Sequence, residues 1–579
     1  APDLTVWDQN RFTDWQDVLM GETATINNLN LSLSGGNENT TFLLGGSYQV
    51  RGDVFPGDFG YKKMTSNFNL RHTSRDEKFN LNFSANYGID DNQLFFGTNF
   101  VQMALTLPPN APKLYNEDGS LNWADGSWSN PLAGLYRPQD IETNNLLANL
   151  SLSYKILNGL AAKVSLGYSN LESTEVTRNL INSYNPDTWD RINLSSYHSL
   201  LNRKSWIVEP QISYSRSFEK LNITSLLGAT LQENVNNQLA TVGTGYRDDS
   251  VVGNLEAADE VRIDNDRNIN YKYAALFGRV GLNWAEKYFL NFTGRRDGSS
   301  RFGSNKRFAE FWAIGSAWIF SEEDFFKKNL SFISFGKLRG SYGTSGSDQI
   351  PDYGYLDSYE TTAGPGGLYP TRLFNPDFSW EINKKLEVGL QLGLFNDRVN
   401  LETSWYRNRS SNQLIGYPLP ATTGFSSVLA NLPATIENTG LELSLSTTNF
   451  QSQNFSWRTS LNFTVPKNKL VEFDDLELTS YRNTYRIGEP LDIALLYQYD
   501  GINPDTGQYQ IADANGDGRL DFNDRVVEAR LGREYYGGVQ NDFKIKNFSV
   551  GFLFEYVKQQ RPSYLAELSL APGRFGNNS

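Results

Sequence analysis

The stretch KFNLNFSANY, residues 78–87, alternates apolar and polar side chains with a period of two. Phe79 and Leu81 fall on one face of an extended chain, and Asn80 and Asn82 fall on the other. A strand whose second face is polar but uncharged is typical of a wall between lipid and a wet lumen. The pattern therefore predicts a strand that crosses a membrane.

The same alternation recurs along the whole chain. Leu386 and Leu390 oppose Glu387, and Phe463 opposes Arg458 and Asn462. A shift of register by one residue would place Arg458 in lipid, at a cost of about 2–4 kcal/mol near the membrane midplane. We expect about eighteen strands, near residues 26–35, 40–52, 63–74, 78–89, 144–156, 159–171, 204–218, 220–232, 269–284, 287–299, 306–320, 333–345, 384–396, 398–408, 435–447, 454–466, 535–546 and 547–558.

Very short and very long connections alternate between these strands, which places all the long ones at one rim. Outer-membrane barrels have long extracellular loops and short periplasmic turns. Soluble propellers or tandem sandwiches, the alternative, rarely alternate in this way. We therefore predict that residues 1–579 form part of an all-β, antiparallel transmembrane β-barrel. Its long extracellular loops are expected near 90–143, 172–203, 233–268, 346–383, 409–434 and 467–534.

The composition excludes several classes of function. There is no Cys, and His72 and His198 are the only histidines, which argues against disulfides, zinc sites and His-based triads. The net charge of −13 argues against a general nucleic-acid binder. The first residues lack a signal peptide, so a mature chain and a fragment both remain open. The last stretch, 559–579, looks like an unfinished loop.

Several motifs, in a fixed order, resemble the SusC/RagA family of TonB-dependent outer-membrane transporters of Bacteroidetes. Each motif alone is weak, and their joint order and spacing make the resemblance specific. The motifs are TDW at 13–15, SGG at 34–36, GRV at 278–280, DGSSRFG at 297–303, SAWIFSEEDFF at 316–326, KLRGSYGTSG at 337–346, TGF at 423–425, IENTGLEL at 436–443 and DANGDGRLDFND at 513–524.

The resemblance implies a 22-stranded barrel with a plugged lumen in the cell outer membrane. It also implies a SusD-like surface lipoprotein over the extracellular mouth, energy from the TonB complex, and oligosaccharide or peptide substrates. The plug, the TonB box, the first strand and the last few strands are expected outside this chain. A fragment is the simplest interpretation; a split transporter, or a SusC-like barrel recruited into a larger outer-membrane assembly, is the alternative.

The segment 513–524 has the spacing of an EF-hand-type calcium loop. Gly518 permits the sharp turn, but position 12 is Asp rather than the usual bidentate Glu. The alternative is a turn whose side chains cap their own backbone. The candidate calcium ligands are Asp513, Asn515, Asp517, the backbone carbonyl of Arg519, Asp521 and Asp524.

Aromatic residues in the long loops are candidates for contact with substrate or a partner, and packing between loops is the alternative. They include Phe95, Phe96, Trp123, Trp128, Tyr136, Tyr353 and Tyr355. Trp206, Trp284, Trp318, Trp405 and Trp457 suit an interfacial girdle.

Two charged groups allow a catalytic and a structural interpretation, and we favour the structural one. Arg295, Arg296, Asp297 and Arg301 suit an ion-pair network, and residues 321–329 suit a capped helical turn on the periplasmic side. No catalytic set is discernible, so an enzyme is not expected. The competing functions are nutrient import and a structural or assembly role.

Overall fold

The computed structural model describes residues 2–57, 59–361 and 366–562. The helices are α1 (Pro2–Thr5), α2 (Trp15–Met20), α3 (Phe100–Thr106) and α4 (Asp324–Asn329). The strands are β1 (Ile26–Gly36), β2 (Thr40–Gly52), β3 (Gly60–Thr73), β4 (Phe79–Phe95), β5 (Pro138–Leu157), β6 (Leu160–Asn179), β7 (Ser195–Phe218), β8 (Leu221–Thr244), β9 (Glu260–Trp284), β10 (Tyr288–Ser299), β11 (Phe308–Trp318), β12 (Ile333–Ser347), β13 (Ser358–Thr361), β14 (Leu368–Arg372), β15 (Glu381–Leu394), β16 (Val399–Ser411), β17 (Gln413–Pro418), β18 (Ser427–Leu432), β19 (Ala434–Gln451), β20 (Phe455–Phe473), β21 (Ile493–Leu496), β22 (Tyr499–Ile502), β23 (Tyr509–Ile511), β24 (Val527–Arg530), β25 (Arg533–Ile545) and β26 (Phe548–Gln559).

Eighteen of these strands belong to one large antiparallel sheet, and each corresponds to a strand expected from the sequence. The other eight form four small two-stranded sheets inside the long connections: β13 with β14, β17 with β18, β21 with β24 and β22 with β23. Among the described residues, no helix is long and apolar enough to cross a membrane. Residues 563–579 of the expected unfinished loop lie outside the described residues.

Two compact units divide the chain. The first comprises residues up to 210 and 230–272, and the second comprises 211–229 and 273–562. Strands β7, β8 and β9 contribute residues to both units.

The register of the second unit sorts side chains by polarity. Leu390 lies opposite Leu338 on β12 and Thr403 on β16, whereas Gln391 lies opposite Glu402. On β19 and β20, Leu443 lies opposite Phe463 and Glu442 opposite Thr464. Arg458 lies opposite Asp542. Directly opposed residues share a face, so the expected alternation of an apolar and a polar face is confirmed.

The first unit follows the same rule. Leu81 lies opposite Leu152 and Phe83 opposite Leu150, while Asn82 lies opposite Ser151. The apolar pairs stack along one side of β4 and β5, and the amide and hydroxyl pairs occupy the other.

Tight turns join the strands at the short-connection end. Ala285 and Glu286 have φ values of 54° and 58°, and Asn396 and Asp397 have φ values of 55° and 59°. Two consecutive left-handed residues match the right-handed twist of the flanking strands, which is why such turns connect hairpins.

Several strands extend further into the long connections than the alternation predicted. β7 has 24 residues and β9 has 25, although about 9–11 residues cross a bilayer. The connections at 180–194 and 245–259 are therefore shorter than the expected 172–203 and 233–268. Beyond the apolar layer a strand needs no apolar face, but its backbone groups still pair, so the side-chain pattern fades before the strand ends.

If the apolar face contacts lipid, Leu390→Arg will destabilise the folded protein by about 2–4 kcal/mol near the midplane. Gln391→Arg is the matched control because it adds the same charge one residue away, on the polar face beside Glu402. Urea unfolding of the intact protein in lipid vesicles measures both. Equal effects from the two variants would contradict the assignment of faces.

Candidate functional site

A polar depression of about 860 Å³ lies on the second unit's polar face. Arg339 is its centre: its Nη1 lies 2.8 Å from Glu387 Oε1, and its Nη2 lies 3.1 Å from Glu402 Oε1. Gln391 Nε2 also donates to Glu402 Oε1 at 3.0 Å. Polar groups from five strands line the rest, among them Ser341, Lys385, Ser404, Tyr406, Asn438, Glu442, Ser444, Asn462 and Thr464. This wall offers hydrogen-bond donors and acceptors to a hydrated solute.

Long connections of the first unit pack into an aromatic cluster beyond the ends of the strands. Trp128 is buried, its ring centroid lies 6.1 Å from that of Trp15 and 6.3 Å from that of Trp7, and its Nε1 donates to Asn122 O at 3.0 Å. Trp15 lies on α2, which begins where the Asp14 carboxylate accepts the N–H groups of residues 16 and 17. The TDW motif therefore builds this cluster, a role that sequence analysis did not assign.

The candidate contact residues of the first unit differ in exposure. Phe95 packs between Phe59 and Phe100, with ring centroids 5.2 and 4.8 Å away. Trp123 and Tyr136 are partly buried at the edge of the cluster that contains Trp128. Phe96 is 52% exposed. Contact with substrate or a partner stays a prediction for all of them, and the exposed ring of Phe96 is the best placed.

In the second unit, side chains of the DGSSRFG motif link the β10–β11 connection to the loop that follows β12. Ser299 Oγ donates to Asp348 Oδ2 at 2.7 Å, and Arg301 Nε lies 2.9 Å from Asp352 Oδ1. Phe302 is fully buried against Phe378 and Trp380, and Tyr355 packs at the edge of the same cluster. Tyr353, close by in sequence, has a left-handed φ of 57°.

The charged residues around this motif form separate ion pairs rather than the single network expected from the sequence. Arg295 contacts Asp297 and the Tyr273 hydroxyl. Arg296 Nη1 lies 3.8 Å from Glu310 Oε1.

The loop at 513–524 is held by its own side chains. Asp513 accepts the N–H groups of Gly516 and Gly518, each at 2.7 Å. Asp524, whose side chain is fully buried, accepts the N–H groups of Asp521 and Ala514, each at 2.8 Å. These bonds match the alternative interpretation of the motif, in which acidic side chains cap the turn.

Backbone N–H groups set the acidity of Asp524. The N–H of Asp521 first, and those of Ala514 and Asn515 after it, hold the pKa of the Asp524 carboxyl below its usual value. In the described residues, no three His, Cys, Asp or Glu side chains are grouped so that they can hold a metal ion. The carboxylate oxygens of Asp513 and Asp524 keep lone pairs besides those that accept backbone N–H groups, so these bonds do not test calcium, whose binding stays a prediction.

Sequence analysis missed two hydroxyl–imidazole contacts, of which one joins Thr40 Oγ1 to His72 Nδ1 at 2.8 Å, across the register of β2 and β3. Ser196 Oγ lies 3.0 Å from His198 Nε2 and 2.7 Å from Tyr246 Oη. Ser196 and His198 are two positions apart on β7, so their side chains project from the same side of the strand. Ser196 is only 1% exposed, and its position beneath Tyr246 makes it a packing contact rather than an accessible nucleophile.

A large antiparallel sheet with one apolar and one polar face, and with packed loops beyond one end of its strands, defines the wall of an outer-membrane β-barrel. The chain belongs to the family described as TonB dependent receptor-like, beta-barrel, whose sequence pattern matches residues 104–565. Members of this family are outer-membrane transporters or receptors.

Relatives of known sequence or structure agree with this assignment. TonB-dependent receptor P26 of Formosa agariphila is 30% identical over 596 residues, which cover 94% of this chain and 58% of that protein. TonB-dependent receptor SusC of Bacteroides thetaiotaomicron is 24% identical and covers 98% and 61%, respectively. The RagAB peptide transporter structure superposes with a TM-score of 0.80 at 23% identity, covering 96% of this chain and 64% of that one. The chain thus spans about six tenths of each relative.

The buried carboxylate of Asp524 makes the 513–524 loop sensitive to acid. Its pKa is lower in the folded loop than the value of about 3.9 in an unfolded chain. Its stabilising effect is therefore complete above that unfolded value and is lost as the pH falls through the folded pKa. Hydrogen exchange of this loop, relative to that of an unfolded peptide at the same pH, should accelerate as the pH falls below about 3.9 and, in Asp524→Asn, already at neutral pH. Asp505→Asn, in the same long connection, is the control; equal exchange in both variants would contradict this role.

Calcium binding has a separate test. Titration of the intact protein with Ca²⁺, followed by calorimetry, should show one site that Asp513→Asn weakens and Asp505→Asn leaves unchanged. The same heat from the wild type and Asp513→Asn, or no heat from the wild type, would show that the motif is only a capped turn.

Proposed function

We propose that this chain forms the barrel wall of a TonB-dependent importer of oligomeric nutrients, either oligosaccharides or peptides. The observation that supports this most directly is the polar wall around Arg339, Glu387 and Glu402, which lies on the sheet face opposite the apolar belt. A hydrated oligomer passing such a wall can exchange water for the wall's hydrogen-bonding groups with little loss of free energy.

The long loops are proposed to bind a SusD-like surface lipoprotein. Their aromatic clusters give them a fixed shape, and exposed rings such as that of Phe96 are typical of protein and ligand contacts. RagAB, whose structure superposes on this chain, is a peptide transporter, and this supports a peptide as one of the two cargo classes.

We propose that the chain performs no chemistry on its cargo. Within the described residues, two hydroxyl groups contact an imidazole: the hydroxyl of Ser196, beside His198, is buried, and that of Thr40, beside His72, joins register partners on β2 and β3. Hydrolysis of a peptide by a hydroxyl nucleophile would need that hydroxyl to be accessible. Hydrolysis of a glycoside would need two carboxyl groups free to act as acid and base, whereas Glu387 and Glu402 both pair with Arg339.

A structural or assembly role in a larger outer-membrane complex is the second candidate. The specific observation in its favour is the extent of rim packing, because loops fixed by buried tryptophans and ion pairs also suit a scaffold for partner proteins. Deletion of the gene would abolish uptake if the protein is an importer, and envelope integrity if it has an assembly role.

Deletion of the gene should abolish growth on, and uptake of, at least one class of labelled oligosaccharide or peptide, with restoration by the wild-type gene. Unchanged uptake of every cargo, together with envelope-assembly defects, would favour the assembly role.

Phe96→Ala, at unchanged surface abundance, should reduce uptake by about 2- to 10-fold, the loss expected from one aromatic contact. Phe395→Ala is the matched control because Phe395 is a similarly exposed aromatic, at 57%, in the short connection between β15 and β16. An uptake rate for Phe96→Ala equal to that of the wild type would remove Phe96 from the contact surface.

A further inference from the structure

The short connection between β11 and β12, residues 319–332, begins at a pair of stacked aromatic rings. Trp318 ends β11 and Tyr288 begins β10, and the two lie directly opposite each other. Their ring centroids are 6.4 Å apart with planes only 4° from parallel. Leu338 on β12 is the register partner of Trp318. All three therefore belong to the apolar face of the sheet.

The connection folds back onto this face. Phe326, on α4, has its ring centroid 6.3 Å from that of Trp318 and 4.9 Å from that of Phe320. Phe320 lies over β12 so closely that a Cβ atom on Gly336 would come within 2.2 Å of its ring. Gly336 precedes Leu338 by two residues and shares its face. Helix α4 thus packs against the apolar, lipid-facing side of the sheet rather than against its polar side.

Most of the acidic groups of the connection are paired locally. Glu323 accepts hydrogen bonds from Lys287 Nζ at 3.1 Å, Tyr288 Oη at 2.7 Å and Trp318 Nε1 at 3.3 Å. Glu322 is paired with Lys327. The expected helical turn is confirmed, but the expectation that a side chain caps it was wrong, because Glu323 is drawn to Lys287, Tyr288 and Trp318 instead.

The outer surface of α4 combines a large apolar ring with charges of both signs, since Asp324 and Lys328 are both exposed. Phe325 is 67% exposed and contacts only the edge of Phe326 among the neighbouring rings described, with centroids 5.6 Å apart. Lys328, one helical turn further on, is also exposed. Aromatic rings beside basic side chains are typical of the level where hydrocarbon meets headgroups.

We propose that α4 is an interfacial anchor that inserts Phe325 among the phospholipids of the periplasmic leaflet and sets Lys328 at their phosphates. The ring of Phe326 links Phe325 to Trp318 of the lipid-facing belt, and a cation there complements anionic headgroups. The anchor would fix the height of the wall in the membrane at its periplasmic end, and it does not depend on what the protein transports.

Site-directed spin labelling tests the anchor, because these 579 residues contain no Cys to interfere. The intact protein, with any cysteine outside this chain replaced, is labelled at Phe325→Cys or Lys328→Cys and reconstituted in phosphatidylethanolamine–phosphatidylglycerol vesicles. Collision rates with oxygen and with a water-soluble nickel chelate report depth. Leu290→Cys, on the apolar face, is the lipid reference, and Tyr509→Cys, in a long loop, is the water reference.

The oxygen-to-nickel ratio at position 325 should exceed that of the water reference several-fold, and position 328 should fall between 325 and that reference. A ratio at 325 equal to the water reference would overturn the proposal. Shielding of position 325 from both reagents would also overturn it, because it would show that a protein covers α4. A heat-modifiability assay confirms that each labelled variant is folded.

Discussion

The pairing of backbone N–H and C=O groups between strands is the interaction on which the rest of this structure depends. Hydrocarbon offers no hydrogen-bond partners to these groups. A sheet therefore crosses lipid only when the backbone hydrogen bonds between its strands are complete. Because successive side chains of a paired strand point to opposite faces, the face in lipid must be apolar at every second position. The pairs Leu390–Leu338 and Leu443–Phe463 satisfy this requirement, and Gln391–Glu402 takes the opposite face.

Once the register is fixed, the short and the long connections are stabilised in different ways. At the short-connection end, the chain reverses direction through left-handed residues such as Asn396 and Asp397. In another short connection, the ring of Phe320 packs against the apolar face of β12. Long connections extend from the other end, beyond the large sheet and the lipid. They are held instead by buried rings such as Phe302 and Trp128 and by ion pairs such as Arg301–Asp352. A rim held in this way can present a defined surface to a cargo or a partner.

The sequence was sufficient to predict the strands because their alternation is imposed by lipid, and all eighteen were located. It underestimated the length of β7 and β9, since a strand beyond the membrane needs no apolar face. It did not predict the cluster of Trp7, Trp15 and Trp128, because contacts between distant loops have no local periodicity. The spacing at 513–524 fits both an ion-binding loop and a capped turn, because the same carboxylates can serve either. The backbone hydrogen bonds of Asp513 and Asp524 show that the loop adopts the capped conformation, but they do not report its affinity for calcium.

Cysteine accessibility along β15 and β16 tests the central claim, that one face of this sheet lies in lipid and the other in a wet passage. Single cysteines at positions 386–392 and 399–405 of the intact protein, in cells, would be exposed to a membrane-impermeant maleimide. Alternate reactivity with a period of two is expected, with positions 387, 391 and 402 labelled and positions 386, 390 and 401 protected. Uniform labelling, or protection of positions 387, 391 and 402, would contradict the claim.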